Sequence, residues 1–382
     1  MEYRKLGKTG KTVSVIGLGC ENIDGEPYDR VRATVDAALE HGINLLDVFM
    51  PGQEIRQNIA KALGNRRDRV MIQGHIGSTD IRQKYDISRD LPIVKRYFED
   101  LLRIFGGYID FGLMFFIDSD KDYHNVFDTG FAEYVENLKK QGDIGHIGFS
   151  SHNPVIAAKA IETGLPEMMM FSINPAFDML PPGENALDLL DRGLDPELLH
   201  GINPKRAELY RLCESKQVGI TVMKTLGKGK LLSKEFTPFA KPMTVSQCIH
   251  YALSRPSVAS VLLGCVTPAE VYGSLKYFDA GELERDYSEV LRGARNDFRG
   301  NCVYCSHCQP CPADIDIAAV NRCLDTARLD AESIPDAVRL SYLSLAHTGS
   351  ECMQCGHCEE RCPFGVPVIM NMREAPVLFG ET

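Results

Sequence analysis

Eight of the thirteen cysteines stand in two short runs of a kind that binds metal clusters. The first run contains Cys302, Cys305, Cys308 and Cys311, and the second contains Cys352, Cys355, Cys358 and Cys362. Each run ends in Cys-Pro. Three thiolates separated by two residues can surround one iron–sulfur cubane, while the cysteine before the proline ligates the other cluster.

The spacing predicts two [4Fe-4S] clusters with crossed ligation. The second run, C-x2-C-x2-C-x3-C-P, has the spacing of bacterial ferredoxins. One cluster would take Cys302, Cys305, Cys308 and Cys362, and the other would take Cys352, Cys355, Cys358 and Cys311. The first run has two residues instead of three before its last cysteine, so Cys311 is the ligand that departs from the pattern.

Zinc sites and disulfides also use closely spaced cysteines, and both explain these runs less well. Tetrahedral zinc needs pairs of C-x2-C, which leaves the middle cysteine of each triple and both Cys-Pro corners without a role. The chain opens MEYRKLGKTG without an apolar signal region, so we expect a reducing cytoplasmic location. Disulfides are disfavoured in that compartment.

Composition narrows the class of protein. With 382 residues, 44% hydrophobic and 25% charged, the chain is long enough for one large and one small globular domain. The longest apolar run, residues 111–117, is far below the roughly 18 residues of a membrane span. A net charge of -10 argues against nucleic acid. We expect a small-molecule substrate and a redox partner protein of the ferredoxin or flavodoxin kind, with the oligomeric state open.

Short β-rich runs alternate with helical patterns through most of the chain. The runs cover residues 13–18, 43–48, 70–75, 109–117, 146–150, 168–174, 219–224 and 258–264. Eight such β-then-α units predict a (β/α)8 TIM barrel in residues 1–295. No G-x-G-x-x-G follows the first run, which disfavours an open dinucleotide-binding sheet. Residues 296–382 are expected to form a small α-helical ferredoxin-like iron–sulfur domain.

Two long connections are expected to lie over the barrel opening at the carboxyl ends of the strands. They are residues 77–89 and the proline-containing segment 178–204.

The chain resembles the aldo/keto reductase family, in the branch with a C-terminal ferredoxin-like domain. The matching stretches include YRKLGKTG, GINLLD, LKKQGDIGHIGFSSHNP, MFSINPAFD, VGITVMKTLGKGKLL and PSVASVLLG. The resemblance implies hydride transfer from a nicotinamide to a carbonyl. It also implies a tetrad of Asp, Tyr, Lys and His at the strand ends, in which the tyrosine donates the proton.

Only the aspartate of this tetrad matches, at Asp47. Met50 or Pro51 stands at the tyrosine position, His75 at the lysine position and Phe115 at the histidine position. Adjacent strand ends lie about 5 Å apart, so Asp47 could hydrogen-bond His75 and make it a proton donor near neutral pH. The alternative is a polar pair that only satisfies itself at the barrel rim.

The nicotinamide positions implied by the resemblance are also changed. Ser150 matches the family serine, whereas Ser151 replaces an asparagine. Met170 replaces a glutamine and Met223 replaces the tyrosine that stacks on the nicotinamide ring. No Lys or Arg follows the last strand to meet a 2'-phosphate, so NADP(H) is poorly supported and NAD(H) little better.

Six further residues are candidates at or just after the strand ends, among them His152. Lys224 could supply the missing ammonium, and Asn174 could either bind a cofactor or tie down a loop. Gly227 and Lys228 lie after the seventh strand, where barrels often hold phosphate. A flavin or a nucleotide could use that turn, and the alternative is a solvated turn. Cys20 could be a nucleophile or a small apolar filler.

Three functions remain open from the sequence. The favoured hypothesis is an iron–sulfur oxidoreductase that relays electrons between its two [4Fe-4S] clusters and a substrate or flavin site in the barrel opening. The second is an NAD(P)H-dependent carbonyl reductase with an altered proton donor and structural clusters. The third is a ligand-binding or redox-sensing barrel without catalysis.

Overall fold

The computed structural model describes residues 1–81, 85–180, 199, 201–292 and 299–381. Contacts divide the chain into two compact units. The first comprises Met1–Ser172, Val218–Thr225 and Ala259–Phe278, and the second comprises Ile173–Gln217, Leu226–Val258 and Asp279–Thr382. The predicted domain boundary after residue 295 lies within 293–298, outside the described residues, so it stays a prediction.

The first unit is built on a closed barrel. Its strands are β3 (Ile16–Gly19), β4 (Leu45–Val48), β5 (Met71–Ile76), β8 (Ile109–Met114), β9 (Ile144–Ser151), β10 (Met168–Ser172), β11 (Gly219–Met223) and β12 (Val258–Leu263). Each strand neighbours the next one along the chain, and β12 closes onto β3. Parallel pairing in this order confirms the predicted (β/α)8 barrel.

Four shorter strands lie outside the barrel. β1 (Tyr3–Lys5) pairs antiparallel with β2 (Thr12–Ser14), and β6 (Ser78–Thr79) pairs antiparallel with β7 (Asp86–Ile87). The β6–β7 pair lies within the long connection predicted at 77–89. Most of the other long connection, 181–198, falls outside the described residues.

Helices follow the strands at the positions that the sequence predicts, which are residues 31–41, 54–64, 91–105, 130–141, 154–163, 206–216, 245–255 and 269–278. The described helices are Tyr28–Glu40, Gln53–Leu63, Leu91–Ile104, Asp120–Phe127, Gly130–Gln141, Pro154–Glu162, Pro175–Asp178, Pro204–Ser215, Val245–Leu253, Pro268–Leu275, Glu282–Arg285, Ser288–Arg292, Ile317–Ala327, Asp336–Leu343, His357–Arg361 and Val368–Phe379. The helix Asp120–Phe127 was not predicted, because its DKDYHNVF sequence lacks an apolar stripe. None of the described helices is long and apolar enough to cross a membrane.

Apolar side chains fill the inside of the barrel. Leu45, Phe111, Leu113, Met168 and Ala259 form one buried cluster there, which also contains Leu6 and Val13 from the β1–β2 region. Gly219 allows close packing at this point, because a Cβ on it would lie 2.6 Å from the backbone of Leu6. The interior is therefore a packed core, and chemistry must take place at the strand ends.

The described C-terminal part, residues 299–381, contains helices and 3-10 turns and no strand. The sequence also predicts a charged helix over residues 283–299, and this prediction is wrong in part. Two short helices, Glu282–Arg285 and Ser288–Arg292, replace its first half, because Asp286 is extended and Tyr287 turns inward to donate a 2.7 Å hydrogen bond to the Val303 carbonyl.

Candidate active site

Asp47 and His75 meet at the carboxyl ends of two adjacent barrel strands. Asp47 is the third residue of β4, and His75 is the fifth of β5. His75 Nε2 lies 2.8 Å from Asp47 Oδ1, and both side chains are almost fully buried. Because the carboxylate can only accept, Nε2 carries the proton and Nδ1 is the free nitrogen. Nδ1 is buried and has no hydrogen-bond partner among the described residues.

Gln73 holds the same carboxylate and was not identified from the sequence. It lies two residues before His75 on β5, so both side chains are on the same face of the strand. Gln73 Nε2 donates to Asp47 Oδ1 at 2.7 Å and contacts Met170 Sδ at 3.1 Å. Its carbonyl oxygen accepts from Thr221 Oγ1 at 2.9 Å. The signal that could have found Gln73 is the period of two in the strand sequence MIQGHI.

Aromatic rings enclose His75. Phe115, at the family's histidine position, presents its ring to His75 at 5.4 Å between centroids and 84° between planes. Phe49 lies 5.9 Å from His75 and stacks with Phe115 at 5.8 Å. These rings shield one side of the imidazole from water and offer no proton donor.

Met50 shares with Pro51 the position of the missing tyrosine. Its side chain is buried, and its carbonyl accepts a 2.7 Å hydrogen bond from Arg56 Nε. Arg56 also donates to the carbonyl of Tyr97 at 2.9 Å, and its burial lowers its pKa to about 10. The segment that would carry the tyrosine is therefore fixed by a buried arginine, and it brings a thioether to this position.

A second histidine–carboxylate pair lies at the end of β9. His152 Nδ1 is 2.9 Å from Asp118 Oδ2, and the backbone N of His152 donates to Asp118 Oδ1 at 2.6 Å. Ser151 Oγ donates to the same carboxylate at 3.0 Å. Burial alone would raise the pKa of Asp118, but the charge and hydrogen bonds of His152 lower it below the ordinary value. Ser151 is thus engaged in fixing Asp118.

Ser150 lies beside this pair with hydrogen-bonding capacity left. Its Oγ accepts from the backbone N of Phe116 at 2.8 Å, and its hydroxyl proton has no acceptor among the described residues. Phe116 has a φ of 58°, a strained value for a non-glycine residue. Arg89 clamps this backbone by donating to the carbonyls of Phe115 and Phe116 at 2.8 and 2.9 Å.

Lys224 and Cys20 also lie at strand ends of the first unit. Lys224 follows β11 with a φ of 63°, and its Nζ is 3.9 Å from Glu21 Oε2. Cys20 is buried, and burial followed by the charge of Asp47 raises its pKa well above the ordinary value. A thiol held neutral in this way is a poor nucleophile, which favours the filler alternative.

The remaining predicted binding residues belong to the second unit. Asn174 Oδ1 accepts from Phe177 N at 2.9 Å and so caps the helix Pro175–Asp178. Gly227 and Lys228 open a 3-10 turn, Gly227–Leu232, in which Lys228 has a φ of 54°. Their roles toward a cofactor stay predictions.

The two cysteine runs come together in the second unit. Arg361, one residue before Cys362, donates to the carbonyls of Cys308 and Pro310 at 3.1 and 2.7 Å. Burial raises the pKa of Cys305 and of Cys308 to about 12, and the nearby Cys362 thiol adds to both shifts. The last cysteine of the second run is therefore close to the first run.

A cavity lies where the predicted second cluster would be. Five of its lining residues are the cysteines Cys308, Cys311, Cys352, Cys355 and Cys358. Apolar side chains, among them Ile317 and Met372, complete the lining. Its volume is about 20 Å³, enough for about one water.

No group of three or more His, Cys, Asp or Glu side chains in the described part of the chain could hold a metal ion. A cubane makes a different demand, because each of its four irons takes one thiolate and the cysteines surround a cluster instead of one ion.

A closed (β/α)8 barrel with titratable side chains at the carboxyl ends of its strands is an enzyme architecture. A model described as the aldo/keto reductase family matches residues 15–247. A relative from Bacillus subtilis strain 168, the uncharacterized oxidoreductase YqkF, is 26% identical over 317 residues, which are 76% of this chain and 96% of YqkF.

Solved structures share the fold. The holo form of the aldo-keto reductase AKR11C1 from Bacillus halodurans matches with a TM-score of 0.58 and 21% identity, over 77% of this chain and 97% of that chain. Its apo form matches with a TM-score of 0.53 and 22% identity, over 77% and 96%. The chain belongs to the aldo/keto reductase family. It is an oxidoreductase of that type.

Proposed function

We propose that the chain reduces the carbonyl group of a small molecule with a hydride from NAD(P)H, and that His75 donates the proton. The observation that carries this proposal is the 2.8 Å contact of His75 Nε2 with Asp47 Oδ1, which leaves Nδ1 as the free nitrogen of a buried ring. A histidine held in this way has the standard geometry of a general acid.

Asp47 and Gln73 set the orientation of the donor. Two donors, His75 Nε2 and Gln73 Nε2, share Asp47 Oδ1, which fixes the carboxylate and therefore the imidazole plane. The carboxylate also balances the charge of an imidazolium that carries its second proton on Nδ1. Phe49 and Phe115 exclude water from this side of the ring, which strengthens that electrostatic balance.

Ser150 fits the carboxamide of a nicotinamide, because its hydroxyl proton has no acceptor among the described residues. The cofactor would supply the hydride. Met170 and Met223 would offer thioethers where the family has an amide and a ring. The hydrogen bond of the amide and the stacking contact of the ring are lost. We therefore expect both NADH and NADPH to bind, and both to bind weakly.

We also propose that the cysteine runs hold two [4Fe-4S] clusters in a ferredoxin-like domain. Cys302, Cys305, Cys308 and Cys362 would hold one, and Cys352, Cys355, Cys358 and Cys311 the other. The proximity of Cys362 to Cys305 and Cys308 supports the first set. All four cysteines of the second set line one cavity, which supports that set, although Cys308 of the first set lines it too. Bound clusters would supply one-electron redox chemistry.

The reductase proposal is tested with anaerobically purified full-length protein. NADH and NADPH oxidation is followed with a panel of aldehydes and ketones, for the wild type and for His75→Gln. We expect His75→Gln to lower kcat about 100-fold or more. The control is His146→Gln, which removes a histidine that pairs with Glu167 at 2.9 Å near the opposite end of β9. Equal turnover in wild type and His75→Gln would refute the proposal.

A second candidate is the electron relay between the clusters and a substrate or flavin in the barrel, with a ferredoxin or flavodoxin as partner protein. The convergence of the two cysteine runs favours it. Removal of iron separates the two candidates. Carbonyl reduction by NAD(P)H that survives iron removal supports the reductase, whereas activity that needs both iron and a one-electron donor supports the relay.

A further inference from the structure

The second unit contains a cavity that neither the barrel chemistry nor the cysteine-lined cavity explains. Its volume is about 320 Å³, within the range of roughly 300–1,000 Å³ for small-ligand sites. The lining residues with polar or reactive side chains include Tyr210, Arg211, Arg255, Cys302, Tyr304 and Asp325.

Arg255 brings a buried positive charge to this cavity. Its side chain is 2% exposed, and all its described hydrogen bonds come from Nη2, to Tyr287 Oη at 2.8 Å, to Ser254 Oγ at 3.0 Å and to the Val303 carbonyl. Its Nε is buried without a partner, and it forms no ion pair with a described residue. The Tyr251 and Tyr304 rings face the guanidinium, with centroids 4.4 and 5.0 Å from Cζ. Burial alone would lower the pKa of Arg255, but the neighbouring tyrosines and the charge of Asp178 raise it, so the group stays cationic.

Arg211 brings a second guanidinium to the same cavity. It lies on the helix Pro204–Ser215, and its Nε is also buried without a partner among the described residues. A buried arginine usually pairs with a carboxylate, as Arg206 on the same helix does. Its Nε lies 2.7 Å from the carboxylate of Asp178. Neither Arg211 nor Arg255 forms such a close salt bridge in the described part of the chain, although Asp325 interacts with Arg211 and Asp178 with Arg255 at longer range.

Asp325 is the one carboxyl group among the described residues of the cavity lining. It accepts a 2.7 Å hydrogen bond from the Tyr304 hydroxyl and lies 3.5 Å from Arg328 Nη1 on its own helix. Burial raises its pKa above the ordinary value. Asp325 also interacts with Arg211, so one carboxyl group faces the two guanidinium groups of the lining and leaves them with a net positive charge.

We propose that this cavity binds a small molecule through a carboxylate or phosphate group held by Arg211 and Arg255. Planar guanidinium groups bind these oxyanions with two parallel hydrogen bonds. The site does not depend on the reaction proposed for the barrel.

Calorimetric titration of the full-length, anaerobically purified protein tests the site, with inorganic phosphate and succinate as separate probes. Ionic strength is held constant with chloride, and iron content is measured in each sample. We expect one saturable site per chain for at least one probe, and the stronger probe identifies the group. Arg211→Gln should weaken binding about tenfold or more, since a charge-assisted hydrogen bond contributes that much.

The matched control is Arg292→Gln, which removes an exposed arginine of the same unit that pairs with Glu289 at 3.1 Å and does not line the cavity. It should leave the affinity within about twofold, as surface charges contribute little. Arg255→Lys keeps the charge and should weaken binding. If that variant does not fold, Arg211→Gln alone decides the test.

Three results would overturn the proposal. Absence of saturable binding of either probe is the first. The second is an equal loss in Arg292→Gln and Arg211→Gln, which means an adventitious ion only. The third is binding that occurs only after iron is removed. That result would mean that, in the iron-loaded protein, the guanidinium groups interact with the cysteine thiolates and not with a small molecule. Carbonyl reductase activity is measured on the same samples, and its loss would count against the barrel proposal alone.

Discussion

Gln73 Nε2 lies 2.7 Å from Asp47 Oδ1, the same oxygen that His75 contacts at 2.8 Å. One carboxylate oxygen therefore fixes two side chains of the neighbouring strand. In the proposed reaction, the charge on this oxygen orients and balances the protonated donor.

Asp47→Asn removes the negative charge of this side chain and keeps its shape. The amide fills the same space but cannot balance an imidazolium, so we expect kcat for carbonyl reduction to fall about 100-fold. The thermal midpoint should change less than in Asp110→Asn, a control that breaks the 3.0 Å ion pair of Asp110 with Arg67. Full activity in Asp47→Asn would show that His75 needs no counter-charge. That result would count against His75 as the general acid.

Gln73→Leu should destabilise the fold by about 1–3 kcal/mol, because the buried Asp47 and Thr221 each lose a hydrogen-bond partner. Urea denaturation measures this loss. Gln57→Leu on the exposed side of the helix Gln53–Leu63 is the control and should change little. The double variant Gln73→Leu/Thr221→Val should cost less than the sum of the single changes. Strict additivity would mean that the two side chains are energetically independent.

The barrel was predictable because its strands are apolar runs bounded by turn residues and separated by amphipathic helices. Asp47 and His75 were also predictable as a pair, because residues at the ends of adjacent parallel strands must lie close together. Their observed contact confirms that geometric expectation, while their catalytic role stays a prediction.

The Asp118–His152 pair could not be predicted in the same way. Its members lie 34 residues apart, and Asp118 follows β8 in an irregular segment whose path no periodicity specifies. Arg255 was missed for a related reason. Its sequence context, SRPS, is typical of an exposed turn, and only tertiary packing buries the guanidinium against Tyr287 and Val303.

Glu167 should make stability depend on pH in the acid range. Burial alone would raise its pKa, but hydrogen bonds from His146, Lys139 and the Ile147 backbone lower it to about 2 from an ordinary 4.5. The unfolded chain then takes up this proton near pH 4.5, while the folded chain resists until about pH 2. Its stabilising contribution is complete above the higher value and is lost as pH falls toward the lower one.

Glu167→Gln should remove that part of the pH dependence. The difference in unfolding free energy between wild type and variant should be largest at pH 6 and shrink steadily toward pH 3, measured by urea denaturation. Glu136→Gln is the control, since Glu136 forms an exposed 3.4 Å pair with Lys140 on the helix Gly130–Gln141. A difference that stays constant with pH would contradict the lowered pKa of Glu167.

If ligation is crossed, changing a cysteine in one run should remove the same cluster as changing a cysteine in the other run. Arg361 ties the segment before Cys362 to the Cys308 and Pro310 carbonyls, which places the last cysteine of the second run near the first run. Cys362→Ser and Cys302→Ser should therefore lose the same cluster and leave the same electron paramagnetic resonance spectrum after reduction. Cys311→Ser and Cys352→Ser should leave the other spectrum, and each variant should retain about four irons per chain. Cys323→Ser changes a buried cysteine outside both runs and should retain all the iron of the wild type. If Cys362→Ser instead matches Cys352→Ser, each run binds its own cluster, and the departure in spacing at Cys311 reflects a separate site.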